Sequence, residues 1–361
     1  QAVSQTSISG DGVYTKKCAE KVKQITNSKK VLITHSCTGA LEMAAILCDL
    51  EAGDEVIMPS YTFVSTANAV VLRGAIPVFI DIDPQFATLD PQKVELAIND
   101  KTKAVFAVHY AGCMFGTDEL RKICDEHNIF LVEDAAQALG SKINNSPAGS
   151  IGDLATFSFH DTKNIIAGEG GALCINNPKL IERAEIIWQK GTDRNKFLRG
   201  EVNRYTWQDI GSSFLPSELV AAFLFGQIEN FDEIQKDRIN AFEKYNDSLN
   251  NIASHNAYET IKVPHNCKLN GHIFYLKVKG KNGRDLFIKH MKENGITAPF
   301  HYVPLHTSPA GKKYGRCGSE MNNTRQLYNQ LVRLPMFSDL ASSAEQTKVI
   351  NLIGDYFGFQ L

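Results

Sequence analysis

Nowhere in the 361 residues does an apolar run reach the roughly 18 residues of a membrane-spanning helix. The first residues, QAVSQTSISGDG, are small and polar and lack the apolar core of a secretion signal. Residue 1 is Gln rather than Met, so the natural start is expected to lie upstream. Net charge is only −2, from 38 Lys and Arg against 40 Asp and Glu. Neither nucleic acid nor an anionic membrane is therefore the expected partner. None of the eight cysteines forms a Cys-x-x-Cys pair, and several fall in apolar periodic segments. Buried reduced thiols are expected rather than a disulfide framework or a zinc site, and no metal is expected; such thiols suit the cytoplasm.

Several nucleotide and hydrolase motifs are also missing. There is no GxxxxGK[ST], GxSxG or HExxH. The glycine cluster Gly168-Glu169-Gly170-Gly171 is not GxGxxG, and it precedes a strand rather than a helix, so a dinucleotide site of that kind is not supported.

What the chain does have is the balance of a globular protein, with 43% hydrophobic and 22% charged residues. Its length favours more than one domain. From about Lys30 to Asn176, short apolar runs (VLITHS, DEVIMPS, IPVFIDID, KAVFAVH, IFLVED) alternate with helical patterns. Asp90 followed by Pro91, and Asn177 followed by Pro178, are helix start signals. The pattern predicts a mostly parallel sheet with helices on both faces, an α/β fold. Ligands of such sheets bind beyond the carboxyl ends of the strands, where Ser36, Ser60, His109 and the pair Glu133-Asp134 fall. Residues 190–215 read as a long loop, and helical patterns follow from Ser217 to about Leu249. The large domain is placed at residues 1–245 and a smaller α+β domain at 246–361.

One constellation carries chemistry. Asp134 ends a buried strand, with Gln137 three positions on. Ser158 and His160 alternate with Phe157 and Phe159 just before Lys163. Phe63 follows a strand-end Pro-Ser-Tyr-Thr, and Ser36-Cys37-Thr38-Gly39 opens a helix. Singly these have ordinary readings: a strand-end Asp is often a cap, a lone Lys is usually solvated, and a Ser-Thr helix start is usually only a cap. Together they match the needs of pyridoxal phosphate. That cofactor takes a lysine on its aldehyde, a carboxylate at its ring nitrogen, a helix N-terminus at its phosphate and an aromatic against its ring.

The stretches SCTGALEMA, GDEVIMPSYTFVSTANAVVLRGA, VHYAG, LVEDAAQALGS, FSFHDTKNIIAGEGGAL and HYVPLH make the chain resemble, over nearly its whole length, the DegT/DnrJ/EryC1/StrS sugar aminotransferases. The resemblance implies pyridoxal phosphate fold type I and a homodimer with shared active sites. It matches Lys163 to the Schiff-base lysine, Asp134 to the pyridinium partner and Gln137 to the residue at the ring hydroxyl. Phe63 falls at the ring-stacking position. Thr38, Gly39 and Ser158 fall at phosphate contacts, and His160 and Asn164 flank the lysine. His301, Tyr302 and His306 fall in a C-terminal motif assigned to the sugar nucleotide. Lys196, Arg199 and Arg204 are further candidates for its pyrophosphate, with ordinary solvated loop charges as the alternative.

Within the family, the stretches MPSYTFVSTANAVVLRGA, YTWQDIGSSFL and ERAEIIWQKGT look most like members that move the amino group of L-glutamate to C4 of dTDP-4-oxo-6-deoxy-D-glucose. Amination at C3 and a gluco-configured C4 product are the neighbouring possibilities. The chain departs from the family where many members carry an Asn that reaches the partner's cofactor phosphate. The pair here is Phe214-Leu215, so the dimer contact to phosphate is expected to differ, with Ser212 or Ser213 as candidates to substitute. The family's N-terminal leader, a turn and a helix, is expected ahead of Gln1.

Overall fold

The computed structural model describes residues 8–250, 257–280 and 283–358. In chain order the strands are β1 Lys30–Thr34, β2 Glu55–Pro59, β3 Ile76–Ile80, β4 Thr102–Val108, β5 Phe130–Asp134, β6 Lys142–Ile143, β7 Ser146–Pro147, β8 Leu154–Ser158, β9 Gly171–Ile175, β10 Tyr258–Thr260, β11 Cys267–Lys268, β12 Tyr275–Val278, β13 Arg316–Cys317 and β14 Leu331–Arg333. Eight form the central sheet in the order β1-β9-β8-β5-β4-β2-β3-β13. Only β9 runs against its neighbours, β1 and β8; the other pairings are parallel. This is the mostly parallel α/β sheet expected of the alternating pattern.

Strand residues one apart go to opposite faces, and the sequence uses both. Leu32, Val56, Met58, Phe106 and Val132 join one core with the helices α2 Cys37–Leu47, α3 Val64–Val71 and α6 Ile181–Trp188. Val31, Ile33, Ala155, Phe157 and Ala172 pack the other way, with α1 Val13–Thr26 and α8 Glu218–Glu229. Further along that second face, Ile57, Val105 and Leu131 meet α4 Pro91–Ala97 and α5 Thr117–Glu126. Each fully buried aliphatic side chain contributes about 1.5–3 kcal/mol, so a register slip of one residue in any central strand is forbidden.

Strands β10, β12 and β14 form a second, antiparallel sheet, in the order β10-β12-β14. Its core shares residues with the long helix α9 Phe231–Asn250 and reaches Tyr61 and Tyr110 of the large sheet's loops. Two parts of the chain differ from the sequence reading. Residues 190–215 are not structureless: α7 Arg194–Leu198 lies within them, and Thr192 bridges Trp207. Helix α1 was not expected, since it carries polar residues on most of its surface and buries only Thr15, Cys18, Val22 and Thr26.

Candidate active site

Beyond the carboxyl ends of the strands lies a cavity of ≈ 440 Å³. Its first wall is the start of α2. Ser36 caps that helix, its Oγ accepting the Gly39 N–H at 3.0 Å. Such a cap contributes about 0.5–2 kcal/mol. The N–H groups of Cys37 and Thr38 meet no acceptor among the described residues, and both residues line the cavity. Unfilled N–H groups at a helix start attract anions. The helix can come this close because residue 171 is glycine: a Cβ there would collide with the backbone of Ser36 and Cys37.

The second wall is the end of β5. Asp134 shares its face with Val132 and so points to the α2 side, into the cavity. It is buried, yet among the described residues it accepts only the Thr66 hydroxyl at 2.7 Å and the Ala136 N–H at 3.3 Å. Burial pushes its pKa up, and the Thr66 bond, the Ala136 bond and the Lys163 charge offset only part of that. Glu133, one residue earlier, points the other way. It is bonded by His109 at 2.8 Å and by the N–H groups of Gly149, Ile151 and Gly152. His109 and Glu133 thus fall at strand ends as expected but on the face away from the cavity. They are fully buried partners of each other and do not line the cavity.

Lys163 sits in the loop joining β8 to β9. That loop is fastened by Phe159 N–H to Gly170 O at 2.8 Å and Ala167 N–H to Phe159 O at 2.6 Å. Gly168 turns it, with φ +78°. Ser158 shares the face of Leu154, so it too lines the cavity. The Lys163 amine reaches into the cavity with no hydrogen bond or ion pair among the described residues. Burial lowers its pKa, and Cys37 and Asp134 oppose that only in part. Asn164 turns away from the cavity. Its amide donates to Asn270 O at 2.9 Å, and its Oδ1 faces His272 Nδ1 at 2.8 Å.

The remaining walls come from elsewhere in the chain. Gln137 accepts the Ala111 N–H at 2.7 Å and donates to Tyr302 Oη at 2.8 Å. Tyr302 has φ +40°, a backbone setting that bulky residues rarely adopt and that its surroundings must hold in place. His301 receives or gives a hydrogen bond at Tyr110 Oη, 2.8 Å away, and its own carbonyl accepts from Tyr61. Burial, Arg333 and Lys163 lower the His301 pKa to about 2. Phe63 precedes α3 and is 56% exposed at the cavity edge, its ring 6.3 Å from that of Tyr302. Arg333 lines the cavity with a buried Nε that has no partner, and no carboxylate pairs with it among the described residues.

Of the expected residues, Thr38, Phe63, Asp134, Gln137, Ser158, His160, Lys163, His301 and Tyr302 meet at this cavity. Gly39 stands behind its wall, within α2. His306 instead bonds Ser60 Oγ at 2.7 Å. Lys196 is paired with Glu182, and Arg199 with Glu185 at 2.8 Å and Glu201 at 2.6 Å; neither lines the cavity. Phe214 is buried beside His35, and its carbonyl accepts the His35 N–H. Sequence reasoning missed Thr66, His272 and Arg333. Thr66 lies inside a stretch that carried the resemblance, whereas nothing local marks His272 or Arg333.

The profile described as the DegT/DnrJ/EryC1/StrS aminotransferase family matches residues 1–354. The chain is 30% identical to the spore coat polysaccharide biosynthesis protein SpsC of Bacillus subtilis, covering 98% of this chain and 93% of that one. It is 30% identical to a GDP-perosamine synthase of Vibrio cholerae, covering 97% and 92%. Among solved structures, the aminotransferase TlmJ from Streptoalloteichus hindustanus superposes with a TM-score of 0.89 at 25% identity, covering 99% of this chain and 94% of that one. No described helix is long and apolar enough to cross a membrane.

Proposed function

Because the chain belongs to the DegT/DnrJ/EryC1/StrS aminotransferase family, whose members are pyridoxal phosphate-dependent sugar aminotransferases, we propose that it moves the amino group of L-glutamate to C4 of dTDP-4-oxo-6-deoxy-D-glucose. The products would be dTDP-4-amino-4,6-dideoxy-D-galactose and 2-oxoglutarate. The observation that carries the reading is the meeting, in one cavity, of an unpaired lysine amine, an under-bonded carboxylate and an unfilled helix N-terminus. That donor set fits pyridoxal phosphate. Lys163 would bond its aldehyde, Asp134 its ring nitrogen, and the Cys37 and Thr38 N–H groups with Ser158 its phosphate. Phe63 would cover the ring, and Gln137 with Tyr302 would border it.

When bound, the cofactor supplies an electron sink for charge left on the carbon that bears the transferred nitrogen. The protein's own work is proton handling and positioning. Burial disfavours the ammonium form of Lys163, so its free amine can take a proton from the donor's Cα and return it to another carbon. Asp134 raises no such demand: a cation at the ring nitrogen would restore its charged form, which burial alone disfavours. Arg333 supports an anionic amino donor, since its guanidinium lacks a carboxylate among the described residues and faces the Lys163 side of the site. His301 and Tyr302, neutral at the mouth, suit sugar hydroxyls.

Lys196 and Arg199 stay in the proposal only as pyrophosphate contacts made across a homodimer interface, because both lie outside this protomer's cavity, each paired with a carboxylate. The exposed apolar side chains of Phe63, Phe197, Leu198 and Trp207 support that dimer, and a cytoplasmic setting is part of the same reading.

The test is direct. Purified protein with pyridoxal phosphate, L-glutamate and dTDP-4-oxo-6-deoxy-D-glucose should release 2-oxoglutarate, and NMR of the sugar should show an axial amine at C4. Amination at C3, or an equatorial C4 amine, replaces the substrate assignment by its neighbour. Absence of 2-oxoglutarate removes the reading altogether.

A further inference from the structure

The segment Asn270-Gly271-His272 lies against the Lys163 loop and is held with unusual thoroughness. Asn270 donates to the carbonyls of Gln137 and Leu139 at 2.9 and 3.0 Å. The buried guanidinium of Arg238 donates to the carbonyls of Gly271 at 3.2 Å and His272 at 2.9 Å. Gly271 has φ +61°, and a Cβ on it would strike the Arg238 backbone, so the close approach needs glycine. This is a large investment of hydrogen bonds in a residue, His272, that is buried at the wall of the cavity containing Lys163.

The hydrogen-bond network assigns the histidine's protons. A carbonyl can only accept, so the Asn164 atom 2.9 Å from Asn270 O is its NH2 group. The other end of that amide, Oδ1, therefore faces His272 Nδ1 at 2.8 Å, and Nδ1 must carry the hydrogen. Protonation of the second nitrogen is opposed by burial and by the cationic groups around it, Lys163, Arg238 and Arg333. Nε2 then keeps a bare lone pair. It has no partner in the described chain and is not sealed from the cavity.

We infer that His272 is a positioning residue, locked by Asn164 as the neutral Nδ1–H tautomer so that its Nε2, unpartnered among the described residues but lining the same cavity as Lys163, accepts an N–H of the Lys163 amine when that amine moves to the substrate carbon. The inference rests on the reading of Lys163 as the proton carrier. A primary amine has two N–H groups and one lone pair. Taking one N–H in a hydrogen bond restricts rotation about the last side-chain bond and aims the lone pair at the substrate carbon. No bond is made or broken at His272; it acts through Lys163.

Two measurements test this. In apoprotein with 15N-labelled histidine, His272 should show a protonated Nδ1 and an unprotonated Nε2, unchanged as pH crosses the ordinary histidine range. A proton on Nε2, or titration near pH 6.5, overturns the tautomer, and this readout needs neither cofactor nor substrate. In the holoenzyme, His272→Asn keeps a side-chain N–H in the place of Nδ1–H, so it preserves the hold on Asn164 while deleting the acceptor at the Nε2 position. The single-turnover rate of cofactor bleaching by L-glutamate should fall on the order of 10²-fold, with KM for glutamate and the melting temperature unchanged. Restoring an acceptor with His272→Gln should recover part of that loss. A His272→Asn rate equal to wild type would mean that His272 merely anchors the loop. Because the half-reaction uses no sugar, a wrong sugar assignment leaves the result untouched, while failure of wild type to bleach would strike the proposed function instead.

Discussion

Glu133 and Asp134 are adjacent carboxylates at the end of one strand, both buried, and they do opposite things. The pleat sends Glu133 to the α5 side of the sheet, where His109 and three N–H groups bond it. Burial alone would raise its pKa, but the His109 bond and the other donors outweigh that, and the net shift is downward. Asp134 goes to the α2 side, finds one hydroxyl and one N–H, and is shifted upward. The pair teaches that a saturated carboxylate stabilises the fold, whereas an under-bonded one is held in reserve for a ligand. Arg333 repeats the under-bonded case, with no carboxylate paired to it among the described residues.

The comparison can be broken most severely at the group that Asp134 faces. Lys163→Ala should lower turnover by about 10²–10⁴-fold and remove the visible absorbance that pyridoxal phosphate gives with wild type, while the fold persists. A variant that keeps both would dismiss Lys163 from the site. Next, Asp134→Asn and Glu133→Gln should part company. The first should lose activity on the order of 10²-fold with a melting temperature equal to or above wild type at neutral pH. The second should cost about 1–3 kcal/mol, because an amide NH2 would confront N–H donors, with activity retained in the folded fraction. Equal stability losses in the two variants, read by urea unfolding, would erase the distinction.

The pH dependence sharpens it further. The raised Asp134 pKa means that the folded state holds the extra proton just above pH 3.8, so stability declines as pH rises through that window. Asp134→Asn should abolish that decline. The lowered Glu133 pKa works the other way: its stabilisation is present above its unfolded pKa of 4.5 and is lost as pH falls through the folded value. His272 and His301 are held neutral, so the unfolded chain takes up protons below pH 6.5 that the fold refuses. Each should cost about 1.4 kcal/mol per pH unit below that point, measured as a falling unfolding midpoint. The smallest effect belongs to Arg199→Ala. Its ion pairs are with the exposed Glu201 and with the buried Glu185, which keeps its bond to Lys30, so stability should shift by only about 1 kcal/mol. KM for the sugar nucleotide should rise about tenfold, and an unchanged KM would retire it as a substrate contact.

Much of the fold was legible because its signals are local. Apolar runs alternating with helical spacing specify a parallel sheet covered on both faces, and Asp90-Pro91 starts α4 as read, with Asp90 capping the Gln92 and Lys93 N–H groups. Helix α1 escaped because its buried stripe is narrow, and α7 because it spans only Arg194–Leu198. In the site, Lys163, Asp134 and Ser158 could be found from strand ends and glycine spacing. His109 and Glu133 were grouped with them because both also fall at a strand's carboxyl end, and only the pleat's parity tells the two sides apart.

The sequence by itself determined which residues can bond, stack or carry a proton, since those capacities are written in residue type and in short-range pattern. It also determined the family, through stretches whose spacing few folds share. Tertiary structure alone decided which capacities are left unused. Thr66 is brought to Asp134 across 68 residues, Arg333 enters the cavity from the second sheet, and His272 meets Asn164 across 108 residues. Whether an amine, a carboxylate or an imidazole is spent on the fold or free for a ligand depends on partners distant in the chain, and those meet only when the chain has closed.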